Sequence, residues 1–138
     1  MDETRRLMCI HPMKKDEHYL YTFPGKKTKL WRVVDHDMHG SEFFRIGIIH
    51  LAPGEGHGST HVHENAEQFN YIVKGEGVLL GEGGKEVGRF RKGHVIFVPE
   101  GVPHGFVNDS EETLEMVYVC SKDAVLPVVD EMEPTVEE

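Results

Sequence analysis

From Lys29 to Cys120 the chain runs in short bursts of β-branched and aromatic residues, with glycine, proline and acidic residues between them. The bursts are KLWRVV (29–34), EFFRIGIIHL (42–51), STHVH (59–63), QFNYIVKG (68–75), EGVLLG (76–81), EVGRF (86–90), HVIFVP (94–99), HGFVN (104–108) and TLEMVYVC (113–120). Turn-forming stretches separate them, among them APGEGHG, GEGG, RKG, PEGVP and NDSEE. Each burst is short enough for one strand, and no apolar helical periodicity persists beyond three turns. The pattern predicts an all-β domain whose strands close into a sandwich or barrel, since closure removes exposed edges.

Alternation within the bursts assigns faces, because successive strand residues point to opposite sides. QFNYIVKG sets Gln68, Asn70 and Ile72 on one face and Phe69, Tyr71 and Val73 on the other. In TLEMVYVC, Glu115 belongs in water, which turns Leu114, Met116, Tyr118 and Cys120 inward. In EFFRIGIIHL, inward Ile49 and Leu51 carry Gly47 and Arg45 to the same side. Polar groups then stand where apolar ones ordinarily pack. Asn70 either bonds a ligand or holds a neighbouring backbone. Arg45 is suited to clamp a carboxylate or phosphate, unless its head reaches out to solvent. Tyr118 is placed to act as an acid or hydrogen-bond donor, and Phe106 to form an apolar wall.

His61 and His63 lie two residues apart and so share a side of their strand, where both imidazoles can reach one metal ion. The segment around them resembles the first motif of the cupin family: His-x-His, a glutamate, six residues and a glycine. Gly93, Pro99, Gly101, His104 and Asn108 in GHVIFVPEGVPHGFVN meet every position of that family's second motif. The resemblance runs from about Phe43 to Cys120. It implies a small cupin jelly-roll β-barrel that holds one divalent metal ion, iron, manganese, zinc or nickel, and acts as a dioxygenase, decarboxylase, isomerase or lyase. Gly93 permits a turn into a strand, and Pro99 and Gly101 set the bend that returns His104 toward the interior. Asn108 shares the face of His104, caps the following turn or is a simple turn residue before DSEE, and is assigned no chemistry.

Two features depart from the motif. The leading glycine is out of register, Gly54 being one residue too far from His61 and Gly56 one too near. Six residues separate Gln68 from Gly75, so that Gln68 stands at the motif's glutamate position, while Glu67 fits the spacing from His63 but not from Gly75. Strand parity favours Gln68 as the fourth ligand beside His61, His63 and His104, with Glu67 as the alternative ligand or a proton-transfer group. Three imidazoles and an amide are all neutral. They leave the full charge on the ion, which strengthens it as a Lewis acid and favours an anionic or chelating substrate. A non-catalytic module that binds a metal or small ligand is the alternative reading.

Length and charge narrow the setting. The 138 residues suffice for one domain, read as an N-terminal extension (1–28), a barrel core (29–121) and an acidic tail (122–138) that is solvated. A net charge of −9 argues against nucleic acid as a partner. No apolar run approaches the roughly 20 residues of a membrane span. With only Cys9 and Cys120, in no paired motif, a cytoplasmic setting is expected. The outward row Phe69, Tyr71 and Val73 predicts a homodimer.

Overall fold

A computed structural model of the chain describes residues 6–10, 19–56, 65–121 and 133–135. In chain order these form β1 (Tyr19–Thr22), β2 (Lys29–Val34), a short helix α1 (His36–His39), β3 (Phe44–Leu51), β4 (Gln68–Lys74), β5 (Glu76–Leu80), β6 (Glu86–Arg91), β7 (Val95–Val98), β8 (Gly105–Val107), β9 (Leu114–Ser121) and β10 (Glu133–Thr135). One sheet has the order β10-β1-β2-β3-β9-β4-β7 and the other β6-β5-β8, with antiparallel pairing throughout. The molecule is an all-β jelly roll. Eight of the nine apolar bursts coincide with strands to within a few residues, and the ninth, 59–63, lies outside the described residues.

The inward face of the large sheet packs on the small one. Leu51, Ile72, Leu114 and Met116 meet Phe90 of β6 and Phe106 of β8, and Ile96 and Val98 close the same cluster. Each such side chain stabilises the fold by about 1.5–3 kcal/mol on burial. A second cluster gathers Leu30, Ala66, Tyr118 and Cys120, with Tyr21, Phe23 and Ile49 against it. The alternation is complete on β9, where Leu114, Met116, Tyr118 and Cys120 are buried and the residues between them are partly exposed.

The sheet reaches further along the chain than the expected core of 29–121. Residues 19–22, assigned to an extension, form β1 beside β2, and residues 133–135, assigned to a solvated tail, form β10 beside β1. An unpaired edge on β2 is a row of donors and acceptors that a nearby extended segment satisfies. Pro134 fits β10 because an edge strand tolerates a missing N–H. The DHDMH segment (35–39), between β2 and β3, holds one helical turn, capped where Asp35 accepts from the Met38 N–H at 2.7 Å. On β4 a bulge between Ile72 and Lys74 takes Val73 out of the expected outward row and sets Lys74 opposite Glu115.

Two polar hubs anchor the loops that lead to the site. The Glu55 carboxylate accepts from the backbone N–H of Lys27 and Thr28 and from the Thr28 hydroxyl, the last at 2.7 Å. Asn108 is fully buried and donates to the carbonyls of Leu51 (2.9 Å) and Glu112 (2.7 Å), so of its expected readings the structure favours the one in which its side chain ties down the following turn.

Candidate functional site

Register across the large sheet stacks inward residues into rows, since paired residues of antiparallel strands share a face. One row runs Arg45, Cys120, Gln68, Val98. The next runs Arg32, Gly47, Tyr118, Asn70, Ile96. The third is apolar, with Leu30, Ile49, Met116 and Ile72. The interior therefore grades from polar at one end of the strands to apolar at the other.

Gln68 and Asn70 are both buried, and the Gln68 amide N–H donates to the Asn70 Oδ1 at 2.8 Å. Asn70 in turn donates to the Met116 sulfur at 3.8 Å. This chain of contacts fixes which way the Gln68 amide points. Its carbonyl oxygen, Oε1, is buried and accepts no hydrogen bond from the described residues. Burying an amide oxygen without compensation costs about 1–3 kcal/mol, so the position demands an electrophilic partner. Asn70 thus orients Gln68.

His104 comes to the interior through the bend that Pro99 and Gly101 make. Gly101 has φ 75°, a left-handed conformation that a side chain would strain, and the Val102 N–H closes the turn on the Pro99 carbonyl at 3.3 Å. The ring is buried, with Nδ1 3.0 Å from the Val102 carbonyl oxygen. A carbonyl only accepts, so Nδ1 carries the proton and the buried Nε2 carries the lone pair. Metal-binding histidines are oriented by the same kind of contact. The Gln68 oxygen and the His104 nitrogen therefore fit a divalent ion in type and in preparation. His61 and His63 lie outside the described residues. Among the described residues, no three His, Cys, Asp or Glu side chains gather around one point.

Glu67, one residue before β4, is exposed, and its backbone N–H and carbonyl are tied to Ser121. It stands off the inward face that Gln68 occupies. Phe106 is buried in the first core cluster with its ring centroid 6.1 Å from that of His104, forming an apolar wall beside the imidazole. Arg45 is half-buried in the row of Gln68.

Tyr118 is 4 % exposed, and its ring lies against Gly47, where a Cβ would collide with the ring carbons and the hydroxyl. Burial pushes its ionisation far above the ordinary phenol range, helped by Cys120 and opposed by Arg32 and Arg45. It remains a neutral donor at any physiological pH and is not a base. Burial also lifts the Cys120 thiol to about 11, against the pull of Arg45 and Arg32, which keeps it from acting as a nucleophile. Arg32 was not among the residues that alternation singled out. Its signal was present in KLWRVV, where it shares parity with inward Leu30, but no local feature said that β2 lies beside β3.

A family profile described as "Cupin domain" matches residues 47–120, more than half of the chain. The polyketide cyclase RemF from Streptomyces resistomycificus superposes with a TM-score of 0.71 at 21 % identity, over 96 % of this chain and 88 % of that one. A predicted oxalate decarboxylase from Thermotoga maritima gives 0.67 at 24 % identity, over 83 % of this chain and 98 % of that one. KdgF from Halomonas sp. gives 0.60 at 20 % identity, over 74 % and 86 %. These likenesses establish the fold. No curated protein matches the sequence.

Proposed function

The chain belongs to the cupin family, and on that premise we propose that it is a metal-dependent enzyme acting on a small polar molecule, anionic or chelating. His61, His63, Gln68 and His104 hold one divalent ion, iron, manganese, zinc or nickel. The observation that carries this reading is the Gln68 amide, whose oxygen is buried without a hydrogen bond from the described residues while Asn70 fixes its orientation. A divalent ion bound there supplies a Lewis acid whose charge no carboxylate ligand reduces.

The chain's own residues do the rest. Tyr118, neutral and inward, donates a hydrogen bond or a proton to the substrate, Arg45 binds its anionic group, and Phe106 excludes water from one side. A neutral ligand set and a phenol donor favour isomerase, lyase or decarboxylase chemistry over dioxygenation. The names of two structural neighbours, a polyketide cyclase and a predicted oxalate decarboxylase, are compatible with that range. A second reading, a binding module without turnover, draws support from Glu67, the carboxylate offered as a base, being exposed. Free thiols at Cys9 and Cys120 suit a cytoplasmic setting.

Metal analysis after purification without added metal tests the centre. We expect one ion per chain in the wild type, loss of stoichiometric binding in His104→Ala, severe weakening in Gln68→Ala and little change in Glu67→Ala. Gln68→Glu should bind the ion more tightly yet turn over more slowly, because the carboxylate neutralises charge that polarises the substrate. A fully metallated His104→Ala protein, or loss of metal from Glu67→Ala with retention by Gln68→Ala, overturns the ligand set.

A further inference from the structure

Arg32 on β2 and Arg45 on β3 share the inward face with Tyr118, both on the side of β9 toward which the Tyr118 ring leans over Gly47. The register places Arg32 opposite Gly47 and Gly47 opposite Tyr118, while Arg45 lies opposite Cys120, two residues along β9 from Tyr118. The positive charge of both arginines opposes the upward pull of burial on the ionisation of Tyr118 and Cys120. Two guanidinium groups on one inward face supply the planar, charged donors that a carboxylate matches.

The Arg32 guanidinium is also held in place. It lies 5.2 Å from the centroid of the Tyr21 ring, and its Nη1 donates to the Tyr21 hydroxyl at 3.4 Å. The same Nη1 is 3.9 Å from Asp35 Oδ2, while Asp35 Oδ1 caps the turn at Met38. Among the described residues, the polar contacts of Arg32 thus engage one nitrogen of a planar fork that carries five N–H donors. Pre-ordering of this kind lowers the entropic cost of binding a carboxylate.

We propose that Arg32 and Arg45, with the Tyr118 hydroxyl over Gly47 beside them, form an anion subsite for the distal carboxylate of a short-chain acid whose other oxygens reach the Gln68 and His104 end. This rests on the metal-centre reading above for the proximal end only. Arg45 and Gln68 flank β9, so their backbones are two strand spacings apart, about 10 Å. Two side chains reaching inward across that span leave room for a few carbon atoms. The substrate class is accordingly a short diacid or a keto or hydroxy acid with a second carboxylate, and a monoacid leaves one end unfilled.

Titration calorimetry with malonate, and acetate as the monoacid control, tests the subsite. The zinc-loaded wild type should bind malonate more tightly than acetate by about tenfold or more, as loss of a charge-assisted hydrogen bond implies. Arg32→Met and Arg45→Met should each weaken malonate by a similar factor while zinc stoichiometry stays that of the wild type. Arg32→Lys and Arg45→Lys, which keep the charge but lose the fork, should fall between and serve if a methionine variant does not fold. Arginine-dependent malonate binding by a protein that takes up no zinc leaves the subsite standing and removes the metal reading. Equal malonate affinity in the wild type and its folded variants, or none in the wild type, overturns the subsite.

Discussion

Gly47 lies where the Tyr118 ring crosses β3, and the two positions are one steric unit. A methyl group at Gly47 meets the ring and its hydroxyl, so Gly47→Ala must displace Tyr118 from its slot or bend β3. Overpacking of this sort costs about 1–3 kcal/mol, and urea unfolding should show a loss in that range. Tyr118→Phe keeps the ring against Gly47 and should leave stability within about 1 kcal/mol while lowering turnover, since only the donor goes. A stable Gly47→Ala protein with unchanged activity would show that the Tyr118 slot is not needed. Gln68 illustrates a different residue-scale effect. Its usefulness comes from its neighbour, because Asn70 takes up the amide hydrogen and leaves the carbonyl oxygen as the donor atom.

Between elements, the decisive contact is the Glu55 carboxylate, which fastens the β1–β2 turn to the segment following β3. Burial raises its ionisation, but hydrogen bonds from Lys27 and Thr28, with the charge of Lys26, outweigh that and hold it below the usual value of 4.5. A lowered folded value means that its contribution to stability is complete above the unfolded value and is lost as pH falls through the folded one. Glu55→Ala should therefore cost about 2 kcal/mol at pH near 7, and the gap to wild type should shrink as the pH drops well below 4.5. Urea midpoints at neutral and acid pH measure it, and a gap that does not change with pH would exclude the ionised carboxylate as its source. Gly56, next in the chain, pairs with Val107 where a Cβ would meet the Phe106 carbonyl, so the segment leaving β3 is pinned to β8 just before the histidine pair begins.

At the scale of the whole molecule the outward face of β4 and β7 remains to be accounted for. Phe69, Tyr71, Val95 and Phe97 are 41 %, 43 %, 61 % and 58 % exposed, and the register makes them one patch at the end of the sheet. A contiguous apolar surface of that kind marks an interaction site more often than an idle surface. We propose that a second copy of the chain covers it. Sedimentation equilibrium at micromolar concentration should give twice the 15.7 kDa of the chain, and Phe97→Glu should shift the protein toward that single-chain mass with its fold intact. A wild-type mass of one chain would refute the dimer. No helix among the described residues is long and apolar enough to cross a membrane.

What the amino-acid sequence determined by itself was whatever depends on neighbours along the chain. A period of two placed Gln68 and Asn70 inside and Phe69 and Tyr71 outside, because strand geometry alternates regardless of what packs against it. The same logic read β9 correctly from Leu114 to Cys120, and a Pro-x-Gly bend delivered His104 to the interior. The tertiary structure decided what depends on residues far apart in sequence. Arg32 joined the site because β2 registers against β3, a pairing that nothing in KLWRVV specifies. Val73 left the outward row because a bulge formed against β9, and Glu133–Thr135 became a strand because β1, more than a hundred residues earlier, had an edge to satisfy. Gly47 takes its meaning from the Tyr118 ring, which fills the place of its side chain. Local periodicity is a property of the backbone and is visible in any window of the sequence. Register, close approach and amide orientation are settled only when distant segments compete for the same hydrogen bonds and the same volume.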